Sequence, residues 1–176
     1  SDFSGTMINN AYEIKAKTNY LGVDTKTFTP LLGVKKKYEI ISVGRLDPIK
    51  GHDFIIKSLG MVEEDIRPNL RIICDSQDSS YRDELIKLSK AHRVICSFQQ
   101  ATGDLMPKIY NSALLTVYAP IREPLGLVPL ESMACGVPTV AVGEGGINET
   151  VKHGETGGLV ERKKDQLEIL ELNQMK

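Results

Sequence analysis

Apolar residues are spread unevenly along this chain, and their spacing changes character partway through. Residues 1 to 36 show no clear period; Gly22, Asp24 and Pro30 punctuate them and Lys35-Lys36-Lys37 follows, so this stretch reads as a connector leading into a domain. From Tyr38 the pattern becomes regular. Tyr38 to Val43 is an almost continuous apolar run ending at Gly44, the pattern of a buried strand. His52 to Met61 then carries Phe54, Ile55, Leu59 and the following Val62 at helical spacing. Leu70–Cys74 predicts a second strand, closed by the polar run Asp75–Ser80, and Tyr81–Lys90 an amphipathic helix with Leu85 and Leu88 inward. Arg93–Phe98 predicts a third strand, Asp104–Asn111 a short helix and Ala113–Tyr118 a fourth strand.

A helix is expected from about Gly126 to Cys135, with Gly136 taking the left-handed conformation that ends helices. Val137–Val142 is the next strand, Gly143–Gly146 a loop, Ile147–Lys152 a helical turn and Gly158–Val160 a last short strand. Asp165–Leu172 predicts a final helix. Strands that alternate with helices, each strand nearly continuous in apolar residues, indicate an α/β, Rossmann-like three-layer domain. Its parallel sheet is covered on both faces. Such sheets bind ligands beyond the carboxyl ends of their strands. The segments after Val43, Cys74, Phe98, Tyr118 and Val142 are therefore where chemistry is sought.

The length, 176 residues, suits one domain better than two. Lys and Arg number 22 against 23 Asp and Glu, a net charge of −1 that argues against a general nucleic-acid binder but leaves room for a local cationic site. Hydrophobic residues make up 41% and charged residues 26%, which excludes disorder and collagen. No run approaches the roughly 18 apolar residues of a membrane span. No cationic-then-apolar leader opens the chain, and a start at Ser1 without Met suggests an excised piece. Cys74, Cys96 and Cys135 are odd in number, lack Cys-x-x-Cys spacing and sit beside apolar residues, so buried free thiols in a reducing cytoplasm are expected. His52, His92 and His153 show no ligand spacing.

After the first strand the chain reads Gly44-Arg45-Leu46-Asp47-Pro48-Ile49-Lys50-Gly51. Neither Gly-x-x-x-x-Gly-Lys-Ser/Thr nor Gly-x-Gly-x-x-Gly is present there. What remains is two cations at a strand end, five positions apart. Arg45 can fork onto two phosphate oxygens and Lys50 supplies a point charge, a combination suited to a diphosphate. Two solvated surface charges would give the same spacing.

The second feature is Glu123-Pro124-Leu125-Gly126-Leu127-Val128-Pro129-Leu130-Glu131. Pro129 has no N–H and fits a helix only in its first turn, so the helix begins near Gly126. The N–H groups of Gly126, Leu127 and Val128 are then without intrahelical partners, at the positive end of the helix dipole. Glu123 and Glu131 cannot hold a phosphate, but carboxylates accept well from hydroxyls. Amides and cations for phosphates, flanked by carboxylates for hydroxyls, suit a nucleotide-sugar; a surface Glu131 and a dipole-favoured Glu123 would read the same way. The third feature, Gly143-Glu144-Gly145-Gly146-Ile147, would let backbone approach a ligand, as in any tight turn. His153-Gly154-Glu155-Thr156-Gly157-Gly158 reads as a turn into the last strand.

Ile41 to Asp53, Glu123 to Gly136 and Gly145 to Gly157 together resemble the carboxyl-terminal, donor-binding domain of glycosyltransferase family 4. Those are retaining enzymes of the two-domain GT-B architecture, and the likeness spans most of residues 38 to 160. It implies that Arg45 and Lys50 hold the donor diphosphate, that Glu123 contacts hydroxyls of the transferred sugar and that Glu131 contacts the ribose. It further implies that Pro124, Leu125, Gly126 and Leu127 form the backbone cradle for the sugar and distal phosphate, with Glu123, Arg45 and Lys50 as the catalytic set. Gln99 stands near a glycine that lines the base pocket in the family, Cys74-Asp75-Ser76-Gln77 replaces a glycine-rich turn, and Leu125 replaces an aromatic residue.

By the same resemblance, residues 1–36 are the interdomain connector and the tail of a first half that this chain lacks, and 37–176 the donor domain. The donor is then a nucleotide-diphosphate sugar, the partner is the amino-terminal GT-B domain, and the acceptor is a sugar or lipid-linked glycan reached through that half. That half would also carry any peripheral membrane contact; nucleic acid is not a partner. No cofactor or metal is expected; Asp75-Ser76-Gln77-Asp78 is not an Asp-x-Asp motif. The fragment alone is expected to bind donor weakly and transfer nothing. Two rival readings stay open: a sugar-nucleotide epimerase or phosphorylase-like enzyme of similar architecture, and a non-catalytic nucleotide-sugar-binding domain of the same fold.

Overall fold

The computed structural model describes residues 1–76 and 80–162. Its elements run α1 (Asp2–Tyr12), β1 (Glu39–Val43), α2 (His52–Gly60), β2 (Asn69–Cys74), α3 (Ser80–Ala91), β3 (Cys96–Gln100), α4 (Met106–Ser112), β4 (Thr116–Tyr118), α5 (Leu127–Ala134), β5 (Thr139–Val142), α6 (Ile147–Thr150) and β6 (Gly157–Val160). The six strands form one sheet in the order β3-β2-β1-β4-β5-β6, every pair parallel. This is the Rossmann-like α/β arrangement that the alternating pattern predicts. The order reverses between β1 and β4, the place where such sheets open a crevice.

Side-chain alternation sorts the strands' apolar residues onto two faces. Ile40, Leu70 and Ile72 meet Ile55, Leu59 and Leu85 of α2 and α3 on one face. Ile41 and Ile73 meet Met106, Ile109 and Tyr110 of α4, with Val128 of α5, on the other. Helix α5 is tied to the sheet by hydroxyls in the buried layer. Ser132 donates to the Val137 carbonyl at 2.9 Å, so Thr116 of β4 must donate to Ser132 at 2.8 Å. One polar cluster spans three strands: Arg71 of β2 pairs with Glu39 of β1 at 2.7 Å and donates to Gln99 of β3 and to Ser112, both at 2.9 Å.

Several boundaries differ from the sequence pattern. Residues 1–36 are not irregular throughout, because α1 forms with Ser1 as its cap and Glu13 in the left-handed region at φ 55°. It buries no residue, so it leaves no apolar period to detect. The third strand starts at Cys96, not Arg93: Arg93 has φ 54°, and Val94 donates back to Ser89, closing α3. Val94 therefore serves the end of the helix, while the Ile95 carbonyl already accepts from Leu70 of β2 at 2.9 Å. The fourth strand starts at Thr116, although Leu114 and Leu115 still exchange backbone hydrogen bonds with Glu39 and Ile41. The fifth starts at Thr139, since Val137 is occupied with Ser132. Gly136 takes φ 70° as expected. The predicted helix Asp165–Leu172 lies outside the described residues.

From residue 28 the connector is bound to α4. Phe28 meets Tyr110 edge-on at 6.0 Å, and the Asn111 side chain bridges Leu31 and Thr29. The three thiols are free; Cys74 and Cys135 are buried and Cys96 partly so. Burial pushes the Cys96 thiol up to about 12 and Cys135 up to about 11, which makes them poor nucleophiles.

Candidate functional site

The loops that follow β1 and β4 meet at the reversal point of the sheet. After Val43, Asp47 caps a 3₁₀ turn over Pro48–Lys50 by accepting from Ile49 at 2.9 Å, and Gly51 ends the turn at φ 68°. Ile121, after β4, donates to the Ile49 carbonyl at 2.8 Å and so fastens one loop to the other. Behind the turn lies His52, wholly buried. Its Nε2 bonds the Arg45 carbonyl at 3.1 Å, and a carbonyl can only accept. The proton is therefore on Nε2, and Ser42 donates to Nδ1 at 2.9 Å. Burial depresses the pKa of His52 and keeps it neutral. This histidine is a backbone prop for the cationic loop; its place in the sequence gave no sign of that.

Lys50 turns inward and meets Glu123 across the seam, Nζ to Oε2 at 3.0 Å, with both side chains about four-fifths buried (20% and 18% exposed). The Tyr118 phenol lies near Glu123; burial first, and the Glu123 charge second, hold that phenol far above its ordinary pKa. Arg45 is exposed, and its guanidinium makes no hydrogen bond or ion pair with the described residues. The two sequence-predicted cations thus share one loop but have different surroundings: Lys50 is engaged with a carboxylate, Arg45 faces solvent.

Helix α5 starts at Leu127, with Gly126 as its cap at φ 87° and no side-chain hydrogen bond at its amino end. Pro129 falls in the first turn, as its missing N–H demands. The amides of Leu127 and Val128 are left for a ligand or water. Four residues into the helix Glu131 accepts from the Tyr110 hydroxyl at 2.7 Å. Desolvation raises the pKa of Glu131, and the Tyr110 bond only partly offsets it. Pro124 is exposed, whereas Leu125 and Gly126 are buried.

The glycines after β5 let backbone approach backbone. Gly146 donates to the Glu123 carbonyl at 2.8 Å. A Cβ at Gly145 would collide with the Glu123 carbonyl, and one at Gly146 with the Pro124 carbonyl. These positions are empty of side chain so that the β5 loop can lie directly on the backbone carrying Glu123. Glu144 beside them pairs with Arg162 at 3.1 Å. His153 accepts from the Leu159 amide at 3.0 Å, a turn contact.

Arg45, Lys50, Glu123, Pro124, Leu125, Gly126, Leu127 and Glu131 are thus gathered on the two loops and the helix at the seam. Gln99 is not with them. It sits on edge strand β3, two strands from β1, and its amide oxygen accepts from Arg71. Its neighbour Gln100 ends the strand and donates to the Asp75 carbonyl at 2.7 Å. Tyr110, Tyr118 and His52, which orient the site's carboxylates and loop, were invisible as site residues in the sequence.

The profile of the family Glycosyl transferases group 1 matches residues 24–173. An uncharacterized glycosyltransferase, MJ1607 of Methanocaldococcus jannaschii, is 30% identical over 164 residues, which is 85% of this chain and 42% of that protein. The D-inositol 3-phosphate glycosyltransferase of Mycobacterium sp. (strain KMS) is 29% identical over 171 residues, 88% of this chain and 38% of that protein. This chain therefore spans about two fifths of the length of those relatives. Anabaena Alr3699/HepE in complex with UDP-glucose superposes with a TM-score of 0.80 at 25% identity, over 92% of this chain and 48% of that one. The C-terminal domain of the group 1 glycosyl transferase LpcC from Francisella tularensis superposes with a TM-score of 0.67 at 26% identity, covering 81% of each chain.

Proposed function

This chain belongs to the group 1 glycosyl transferases, and we propose that it is the donor-binding half of a retaining enzyme that moves a hexosyl unit from a nucleotide-diphosphate sugar to an acceptor hydroxyl. The observation that carries the reading is the Lys50–Glu123 pair beside the open amino end of α5, at the reversal point of the sheet. A cation, unpartnered amides and a hydroxyl-accepting carboxylate lie together there, as a diphosphate joined to a sugar requires.

Breaking the glycosidic bond puts negative charge on the departing diphosphate. Arg45, Lys50 and the first-turn amides of α5 stabilise that charge where it develops. This reading assigns leaving-group departure to those groups without a metal. Lys50 is held by Glu123 in the free chain; a diphosphate draws the ammonium to itself and releases the carboxylate for the sugar hydroxyls. Glu123 thus positions the donor, with Tyr118 and the Gly146 amide fixing its direction. Pro124, Leu125, Gly126 and Leu127 supply the backbone cradle. Glu131, oriented by Tyr110, takes the ribose hydroxyls through the oxygen that Tyr110 does not occupy. Gln99 lies apart from these residues, on β3, toward the side where a base would extend. Residues 1–36 are assigned to the connector and the end of a preceding half, which supplies the acceptor site.

The test is a thermal-shift and calorimetry panel of nucleoside diphosphates and their sugar conjugates on this chain, beginning with UDP and UDP-glucose. Ligands that bind the native state raise its melting temperature by mass action. Binding of diphosphates, but not of the free sugar or nucleoside, is expected. Indifference to every diphosphate refutes the reading.

A further inference from the structure

Helix α1 is fastened largely by polar contacts, with Phe3 partly buried beside them. It buries no residue, and Met7, Ile8 and Tyr12 on it are exposed. Its anchor is Glu149 of α6. Oε2 accepts from the Asp2 amide and Oε1 from the Phe3 amide, both at 2.8 Å, and Oε2 also accepts from the Tyr20 hydroxyl at 2.8 Å. The carboxylate thereby satisfies two of the four amides that the first turn of a helix leaves open, at the positive end of its dipole. Partial desolvation pushes the pKa of Glu149 up, but the two amides and Tyr20 outweigh it and leave it below the ordinary value.

The second anchor touches the donor loop itself. The Ser1 hydroxyl donates to the Pro124 carbonyl. Pro124 lies between Glu123 and Leu125, and its carbonyl is the atom against which Gly146 packs. Three segments far apart in sequence, residues 1–3, 123–125 and 145–149, thus lock together through backbone groups, and Glu149 is the side chain that joins the first of them to the last.

We propose that Glu149 is a positioning residue for the donor loop: by clasping the first turn of α1 it holds Ser1 on Pro124 and fixes the backbone that presents Glu123 and the cradle amides. This rests on the donor-binding reading above. Docking of α1 and occupation of the donor site are then coupled, and the coupling is reciprocal. Ligand tightens the clasp by the factor by which the clasp tightens ligand binding.

Two measurements on this chain decide it: amide hydrogen exchange at Asp2 and Phe3 with and without UDP-glucose, and calorimetric UDP-glucose affinity of Glu149→Ala and Glu149→Gln. UDP-glucose is expected to slow exchange at both amides, and Glu149→Ala to weaken its binding by the same factor, roughly five- to tenfold. Glu149→Gln keeps one acceptor and is expected to fall between. Because Glu149 is exposed, the melting of the sheet should not change in either variant. Unaltered UDP-glucose affinity in Glu149→Ala, with exchange at Asp2 and Phe3 accelerated, overturns the proposal while leaving the donor reading intact. A wild-type chain that binds no UDP-glucose, with both amides still protected, overturns the donor reading and the proposal together.

Discussion

Replacing Lys50 by methionine separates the ammonium charge from the packing of its stem. Lys50 and Glu123 stand 3.0 Å apart with only about a fifth of each side chain exposed. At an effective dielectric near 20 their gross attraction is roughly 5 kcal/mol, most of which is offset by the desolvation of both ions. Removing the ammonium leaves Glu123 with Tyr118 and no cation, so the chain should lose about 1–3 kcal/mol of stability, between exposed and fully buried pairs. A charge-assisted hydrogen bond to phosphate is worth about 1.5–3 kcal/mol. Part of that is already engaged with Glu123 in the free chain, so UDP affinity should fall at the low end, roughly tenfold. Glu123→Gln is the informative companion. It frees Lys50, so UDP binding should hold or improve, while UDP-glucose binding weakens for want of a carboxylate on the sugar. Calorimetry with both ligands on both variants reads all four values. UDP affinity of Lys50→Met within twofold of wild type would refute the placement of the diphosphate at this seam.

Glu131→Gln should raise the melting temperature at pH 7 relative to wild type and have little effect at pH 4. Burial raises the folded pKa, so the unfolded chain ionises first as pH rises and wild-type stability declines through that range. The same variant should weaken binding of the ribose-bearing ligand, and urea titrations at the two pH values check the first part. His52 is buried neutral, so stability should fall as pH drops below the unfolded value near 6.5, by up to about 1.4 kcal/mol per pH unit. His52→Gln should flatten that dependence, which denaturation at pH 5.5 and 7.5 will show. Gly146→Ala forces a methyl group into the Pro124 carbonyl, and should cost about 2 kcal/mol or more and abolish UDP-glucose binding, by denaturation and calorimetry.

The layering of the fold was legible because each strand is a run of apolar residues between two helical faces. Ile40-Ile41 and Ile72-Ile73 announce burial on both sides at once. Where boundaries were misplaced, an apolar residue served a neighbouring element, as Val94 serves the end of α3. Helix α1 was illegible because Glu149, 137 residues beyond its last residue, supplies what an apolar stripe supplies elsewhere. Arg45, Lys50, Glu123 and Glu131 could be singled out because the sheet rule says where to look and Pro129 says where the helix starts. Gln99 stands apart from that group, on edge strand β3, with its amide oxygen turned to Arg71. Tyr110 and His52 are hydrogen-bond partners, and Tyr118 a neighbour of Glu123, fixed by tertiary contact for which no local spacing exists.

Arg71 gives the sheet a means of proofreading its own assembly. Parallel strands must find partners far away in sequence, and hydrophobic β1 and β2 could slide against each other at little cost in apolar contact. A slip of one residue, however, would swing the guanidinium to the opposite side, among Ile40, Ile72 and Leu85, and strip it of Glu39, Gln99 and Ser112. An orphaned interior cation costs several kcal/mol. Misaligned pairings of these strands are therefore disfavoured by the loss of those contacts.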